Sequence, residues 1–235
     1  MIVTRGATLM AAGATSLVAL GATDADLQPS ALRLMAGAVF GLLAPLFWPG
    51  CAPSRRRTAL RVVAWSAAAC GMAALAMLVW GGGRQSLSGV LQSCAMLAAI
   101  LLLAHTFAAL LEHWWSNAPH AAEGDARDLA GRAVALTLAL LGSLPFWLGP
   151  AGELLSARHA SAIDTMLGLS PLTHLAVASG NDLLRNAWLY QHSNLAGLQF
   201  DYPGLAGLAW FYAALLLGML ALTAARSDRP MEKTR

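Results

Sequence analysis

Long apolar runs alternate with short polar segments along the whole chain. The runs lie at about residues 6–22, 31–48, 62–80, 89–115, 133–149 and 204–225. Each approaches or exceeds the ~20 residues that a transmembrane helix needs. Only residues 150–203 form a long stretch between two runs. The pattern predicts an all-α, polytopic membrane protein with six transmembrane helices in a single domain, residues 1–235.

The composition supports this interpretation. Of the residues, 57% are hydrophobic and 11% are charged, whereas soluble domains carry about 25% charged residues. A soluble domain is therefore excluded. A disordered chain is excluded as well, because disorder requires low hydrophobicity and high charge.

The first apolar run has two interpretations. Arg5 before the run and the small residues Ala19 and Gly21 near its end fit a cleaved signal peptide. The run is long for a signal peptide, however, and the next run follows closely, which favours a retained first span. The orientation of the remaining spans is the same in both cases.

The basic residues predict the orientation of the chain. Lys and Arg in short loops stay preferentially on the cytoplasmic side. With both termini inside, eleven of the fifteen basic residues are cytoplasmic, and residues 150–203 lie outside. These eleven are Arg5, Arg55, Arg56, Arg57, Arg61, Arg127, Arg132, Arg226, Arg229, Lys233 and Arg235. We expect a multi-pass protein of a bacterial inner membrane.

Two polar residues of the fourth run, His105 and Glu112, are candidate intramembrane sites. Ionisable residues within a span are functional candidates by default, although a neutral histidine bonded to a neighbouring helix is the plainer alternative. His105 and His113 lie about 12 Å apart along a helix and so cannot share one metal ion. The second, third, fifth and sixth runs contain no histidine. We therefore expect no metal, haem or other cofactor.

Catalytic motifs are absent from the sequence. There is no GxSxG, HExxH, P-loop or CxxC pattern. The three cysteines, Cys51, Cys70 and Cys94, lie in or beside apolar runs and are expected to act as small buried hydrophobic residues. We expect no enzyme and no catalytic residues, so any ATP hydrolysis would come from a partner.

The external segment predicts a helix that lies in, or dips into, the outer membrane surface. Ser170 and Pro171 form a typical helix start, and leucines such as Leu172 and Leu175 supply an apolar face. We expect Gly180 to weaken or bend the helix near its middle. The candidate gate residues of this partly re-entrant hairpin are Pro171, His174, Asn181, Asp182 and Arg185. The alternative is an ordinary interfacial helix without a transport role.

The topology resembles that of exporter-type (type 2) ATP-binding-cassette transporter permeases. Leu144-Pro145, then Ser170-Pro171-Leu172-Thr173 and Leu184-Arg185, are similar to the pattern before the last span of that family. The resemblance implies two permease copies or halves and a separate cytoplasmic ATPase. Arg55, Arg56 and Arg57 would lie in the coupling loop that contacts the ATPase. Alternatively, this triplet only sets the topology and contacts anionic lipid.

A second function remains open. Small residues such as Ala67, Ala68, Ala69 and Gly71 allow helices to approach closely, and few polar residues line any apolar run. These features also fit a non-transporting scaffold or assembly subunit of a larger inner-membrane complex. In either case the lipid bilayer is a partner, and no nucleic acid is expected.

Overall fold

The computed structural model describes residues 43–52, 54–80, 87–117, 123–156, 160–180 and 201–227. These residues form helices and connecting turns and contain no strand, which confirms the all-α prediction for this part of the chain. A 3-10 turn, Ala44–Phe47, precedes six α-helices. The helices are α1 (Arg55–Trp80), α2 (Leu87–Ser116), α3 (Glu123–Ser156), α4 (Ala160–Leu169), α5 (Pro171–Ser179) and α6 (Leu205–Ser227).

Two of the predicted spans match helices closely, and two helices extend further than predicted. The runs at 89–115 and 204–225 correspond to α2 and α6. Helix α1 begins at Arg55, because the Ser54 hydroxyl accepts a 3.4 Å hydrogen bond from the Arg57 N–H and so caps the helix start. Helix α3 begins at Glu123 and continues to Ser156. Residues 123–132, which precede the fifth apolar run, are thus helical.

The second run does not end as an α-helix. Its last described part is the 3-10 turn Ala44–Phe47, with Pro45 in the first positions. Proline lacks an N–H and cannot continue an α-helical hydrogen-bond ladder, which suits a short 3-10 turn. The run at residues 6–22 lies outside the described residues.

Helix α2 is the centre of the structure. It contacts α1, α3, α5, α6 and the 3-10 turn. The main core forms where Leu97, Ile100 and Leu101 of α2 meet Leu172 and Leu175 of α5. A smaller core around Val62, Ala104, Ala108 and Val134 joins α1, α2 and α3, with Trp48 packed into it.

Many large apolar side chains point away from these cores. Leu60, Leu91, Leu136, Trp210 and Leu217 are each more than half exposed, and Trp210 is 78% exposed. Among the described residues, Ser88–Ser116 is the one helical segment that is long and apolar enough to cross a membrane. A shorter apolar helical segment is Leu205–Met219. One such segment does not establish six spans, so the six-span architecture is stated below as a proposal.

The segment before α6 contains two short helices, α4 and α5, which are joined by Ser170 and which we call the hairpin. Helix α4 packs on α3, and α5 packs on α2, α3 and α6. The Ser170 hydroxyl caps α5 through the Thr173 N–H, and Pro171 begins the helix, as predicted. Helix α5 ends at Ser179 because Gly180 adopts a left-handed conformation with φ +68°. Gly180 therefore terminates the helix, so the expectation that it lies inside a longer helix was wrong.

Candidate functional site

The Glu112 carboxylate connects the end of α2 to the segment that follows the 3-10 turn. It accepts a 2.6 Å hydrogen bond from the Trp48 indole N–H. The backbone N–H of Cys51 donates to both carboxylate oxygens, at 2.9 and 3.0 Å. Hydrogen bonds to a carboxylate are stronger than those between neutral groups. Residues 48–52, which we call the anchored loop, are thus fixed to α2 by a single side chain.

Helix α1 holds the same loop from the other side. Arg61 donates to the carbonyl oxygens of Gly50 and Cys51 at 3.2 and 3.1 Å. The Thr58 hydroxyl accepts a 2.9 Å bond from the Ala52 N–H. These contacts satisfy the backbone groups of a segment without regular structure, which would otherwise be costly to bury.

Two glycines allow the close packing of this region. Gly50 has φ +88°, and a Cβ there would lie 2.8 Å from the Arg127 Cδ. A Cβ at Gly131 on α3 would lie 2.6 Å from the Pro45 carbonyl oxygen. Glycine is therefore required at Gly50 by conformation and space, and at Gly131 by the close approach of another backbone.

His105 lies two turns before Glu112 on α2 and is fully buried. Its Nδ1 is 2.8 Å from the Ser66 hydroxyl on α1, and its ring stacks on Trp48 with centroids 5.8 Å apart. His105 therefore bonds the neighbouring helix, as its plainer interpretation expects. Its Nε2 is buried and has no hydrogen-bond partner among the described residues.

The Cys51 thiol occupies an unusual environment in the anchored loop. Its sulfur donates to the Ala109 carbonyl oxygen at 3.5 Å. Burial, together with the nearby Glu112 carboxylate, raises the pKa of this thiol to about 12. Since the thiolate is the reactive form of cysteine, Cys51 is a poor nucleophile at neutral pH.

His174 forms a second polar cluster, in the hairpin. Its Nε2 is 2.9 Å from the Gly168 carbonyl oxygen, and its Nδ1 is 2.7 Å from the Tyr212 hydroxyl. A carbonyl oxygen can only accept, so Nε2 carries the proton and Tyr212 donates to Nδ1; this tautomer follows from the network. The Tyr212 ring also meets the imidazole edge to face. His174 thus fastens the hairpin to α6 as a neutral group.

The structure describes two of the five predicted gate residues. Pro171 and His174 are buried, and so is Thr173, whose hydroxyl oxygen has no partner within the described residues. Most of α5 is therefore covered, and the polar side chains of Thr173 and His174 point into the protein. Asn181, Asp182 and Arg185 lie outside the described residues.

The predicted coupling loop requires a correction. Arg55, Arg56 and Arg57 lie in the first turn of α1 instead of in a loop, because the Ser54 cap starts the helix before them. Arg56 and Arg57 are exposed. The anchored loop, residues 48–52, precedes this turn in the chain.

Several residues of these clusters were not identified from the sequence. They are Trp48, Gly50, Cys51, Ser66 and Tyr212. Ser66 and Tyr212 were visible as polar groups within apolar runs, which is a weak signal. The partners of Glu112 lie 61 and 64 positions away in the chain, so no local pattern indicates them.

The comparisons give no relative: no family model, no curated protein and no solved structure matches this chain. Among the described residues, no group of three or more His, Cys, Asp or Glu side chains could hold a metal ion. The function must therefore be argued from the geometry of the chain itself.

Proposed function

We propose that the protein is a membrane-spanning permease subunit of an ATP-binding-cassette exporter, with six spans and both termini in the cytoplasm of a bacterial inner membrane. It would pair with a second permease copy or a homologous half, and with a separate cytoplasmic ATPase. The observation that carries this proposal is the burial of α5, which follows α4 and Ser170 in the segment between α3 and α6.

The depth of the hairpin is the main argument. Leu172, at the start of α5, packs in the same core as Ile100 and Leu101. These two residues lie near the middle of α2, which runs from Leu87 to Ser116. At ~1.5 Å per residue they are about 20 Å from the start of that helix, whereas the hydrocarbon core of a bilayer is ~30 Å thick. A segment between two predicted spans that lies this deep in the helix bundle supports the re-entrant interpretation.

The hairpin also satisfies the requirement that the membrane places on irregular backbone. Non-helical backbone at membrane depth is tolerated only where protein buries it. Ser170, between α4 and α5, is fully buried and donates to the Gly142 carbonyl oxygen of α3 at 3.5 Å. The exposed apolar side chains of α1, α3 and α6 would then face lipid.

The opposite end of the bundle supplies a candidate surface for the ATPase. The anchored loop, the exposed Arg56 and Arg57, and Arg127 of α3 lie where α1 begins, α2 ends and α3 begins. The contacts of Glu112 and Arg61 make this end rigid. A rigid surface is what a partner needs if its movement is to be transmitted to the helices.

A scaffold or assembly subunit is the second candidate, and one observation favours it. The polar groups of Ser66, Glu112, Ser170 and His174 are occupied by contacts within the chain. Among the described residues, His105 Nε2 and Thr173 Oγ1 are the buried side-chain atoms left without a partner. A pathway for a polar solute would thus need surfaces from a second subunit.

The test combines topology with partnership. In a variant whose own cysteines are replaced, single cysteines at Ser54, Asn117 and Thr234 should resist a membrane-impermeant thiol reagent in intact cells. Single cysteines at Ser86, Ser161 and Asn194 should react. The tagged chain should also copurify with a P-loop ATPase whose hydrolysis it stimulates. Reversed labelling would contradict the orientation, and correct topology with a cofactor-bearing enzyme in place of an ATPase would favour the scaffold.

A further inference from the structure

Helix α1 carries two exposed arginines on the side that is turned away from α2. The opposite side of α1 is buried and includes Ser66, which bonds His105 of α2. Arg57 and Arg61 are four residues apart and therefore lie on one face, one turn from each other. Residues 57, 61, 64 and 68 are all exposed, so this face of α1 is accessible over several turns.

The anchored loop holds the guanidinium of Arg61 in place. The Arg61 Nη1 donates to the carbonyl oxygens of Gly50 and Cys51 at 3.2 and 3.1 Å. A guanidinium carries five N–H donors in a rigid fork, so the edge formed by Nε and Nη2 can still bind a planar pair of acceptor oxygens. Within the described part of the chain, neither Arg57 nor Arg61 forms an ion pair. Two cations at this spacing repel each other, and an anion bound between them would remove that repulsion.

An apolar surface continues along α1 beyond the two arginines. Leu60 and Met72 are exposed by 61% and 48% of their side-chain surface. From Arg61 to Met72 the helix rises by about 16 Å, which matches the ~15 Å depth of one leaflet in a hydrocarbon core of ~30 Å. The face therefore combines a cationic end with an apolar stretch that is as long as a lipid acyl chain.

We propose that Arg57 and Arg61 bind the phosphate of one anionic phospholipid, whose acyl chains lie along the exposed face of α1 towards Met72. Hydrogen bonds between guanidinium groups and phosphate oxygens are charge-assisted and can be bidentate. A zwitterionic lipid is a weaker occupant, because its own cation competes with the arginines for the phosphate. A free phosphate ion would leave the apolar face unused. The site rests on the membrane placement proposed above but requires neither the ATPase nor transport.

Arg56 provides a matched control in the same turn of α1. It is exposed, like Arg57, but it lies about 100° around the helix from Arg57. Arg56→Gln removes one positive charge, as Arg57→Gln and Arg61→Gln do, and leaves both arginines of the proposed site in place. The control therefore separates a lipid site from a general attraction to positive charge.

The experiment is a titration of the full chain in detergent, followed by native mass spectrometry. The probes are phosphatidylglycerol and phosphatidylcholine with identical acyl chains. The wild type and Arg56→Gln should bind phosphatidylglycerol about fivefold or more tightly than phosphatidylcholine. Arg57→Gln and Arg61→Gln should each lose this preference. The proposal is overturned if the wild type binds both lipids equally, or if Arg56→Gln loses as much as the two site variants.

Two further arms test the occupant and its position. Glycerol 3-phosphate carries the phosphate without acyl chains, so an excess should not displace bound phosphatidylglycerol; displacement would overturn the lipid as occupant. A phosphatidylglycerol analogue with a diazirine in its acyl chain should crosslink to residues 60–72 in the wild type and Arg56→Gln, but not in Arg57→Gln. Crosslinks spread evenly over the other helices would overturn the position on α1.

The last controls separate a lost site from a lost fold or a wrong orientation. Arg61→Gln also removes two hydrogen bonds of the anchored loop, whereas Arg57→Gln keeps them and should show unchanged helicity by circular dichroism. A single cysteine at Ser54 reports the orientation in intact cells. Correct labelling without a preference for phosphatidylglycerol would overturn the lipid site alone. Reversed labelling with the preference intact would support the lipid site and overturn the orientation proposed above.

Discussion

Glu112 accepts a 2.6 Å hydrogen bond from the indole N–H of Trp48, a residue 64 positions earlier in the chain. The same Trp48 ring stacks on His105. One carboxylate therefore fixes both the anchored loop and the aromatic ring that covers the buried histidine. If the ATPase docks at this end of the bundle, Glu112 determines the position of the surface that it meets.

Removal of the Glu112 carboxylate should release the anchored loop. In Glu112→Ala, the Trp48 and Cys51 N–H groups lose their acceptor, which should lower the free energy of unfolding by about 1–3 kcal/mol. Glu112→Gln keeps one acceptor oxygen and should show an intermediate loss. Thermal unfolding in detergent measures the effect. His113→Gln, at an exposed neighbouring position, is the control and should leave stability unchanged.

The reactivity of the Cys51 thiol should also show whether the anchored loop has been released from α2. Its pKa of about 12, against 9.0 for an unperturbed thiol, lowers the thiolate fraction at pH 8 by on the order of 10²–10³. Wild-type Cys51 should therefore react slowly with iodoacetamide at this pH. Glu112→Ala removes the carboxylate that helps to raise the pKa and also exposes the thiol, so alkylation should accelerate at least tenfold. An unchanged rate, measured by mass spectrometry, would contradict the role of Glu112.

The raised pKa of Cys51 also determines how the free energy of unfolding changes with pH. The unfolded thiol loses its proton near pH 9, while the folded thiol keeps it until about pH 12. The contribution of the Cys51 thiol to the free energy of unfolding is therefore fully present below pH 9. It is lost as the pH rises towards 12, because the unfolded state then binds fewer protons than the folded state. Cys51→Ser should remove this part of the alkaline loss of stability.

Gly131 should tolerate no side chain. A Cβ at this position would lie 2.6 Å from a backbone oxygen of Pro45, so the 3-10 turn and α3 must separate in Gly131→Ala. Overpacking of this kind costs about 1–3 kcal/mol. Gly71→Ala is the matched control, since nothing lies within 4 Å of a Cβ there. By helix propensity it should be neutral or stabilising by up to ~1 kcal/mol. Equal melting temperatures for the two variants would show that the close approach is absent.

The apolar runs predicted α2 and α6 well, because a helix made mostly of apolar residues can be located in the sequence from its composition alone. The starts of α1 and α3 were missed for a local reason: both begin in polar sequence, where a capping Ser54 or a charged first turn carries little hydrophobic signal. The helix start at Ser170 was predicted correctly because Ser170 and Pro171 are adjacent in the sequence and together form a typical helix start.

The polar contacts of the candidate site could not be predicted in the same way. His174 was predicted to be a gate residue, yet it is buried, and Tyr212, 38 positions later, satisfies one of its nitrogens. Glu112 was identified as a polar residue in an apolar run, but its role depends on Trp48 and Cys51. Contacts between residues that are far apart in the chain determine where these side chains lie. The hydrophobic periodicity of the sequence carries no information about such contacts.

The bond between Tyr212 and His174 should stabilise the hairpin. Tyr212→Phe keeps the ring and removes the hydroxyl, which leaves Nδ1 of a buried imidazole without a donor. The unsatisfied acceptor should cost about 1–3 kcal/mol, measured as a lower melting temperature and faster proteolysis between α3 and α6. Trp210→Phe, at a position 78% exposed, should have little effect. A Tyr212→Phe protein as stable as the wild type would show that the hairpin does not rely on this contact.

The arginine triplet distinguishes the permease from its alternatives. Arg56 and Arg57 are exposed in the first turn of α1, beside the anchored loop, and exposed cations contribute little to the fold itself. If Arg55, Arg56 and Arg57 contact an ATPase, their joint replacement by Gln should leave insertion and thermal stability intact but abolish copurification and stimulation of the ATPase. Arg132→Gln, an exposed cation of α3, is the control for general loss of positive charge. If the triplet serves topology or lipid contact alone, the triple variant should invert, detected by labelling at Ser54, or should retain full ATPase stimulation.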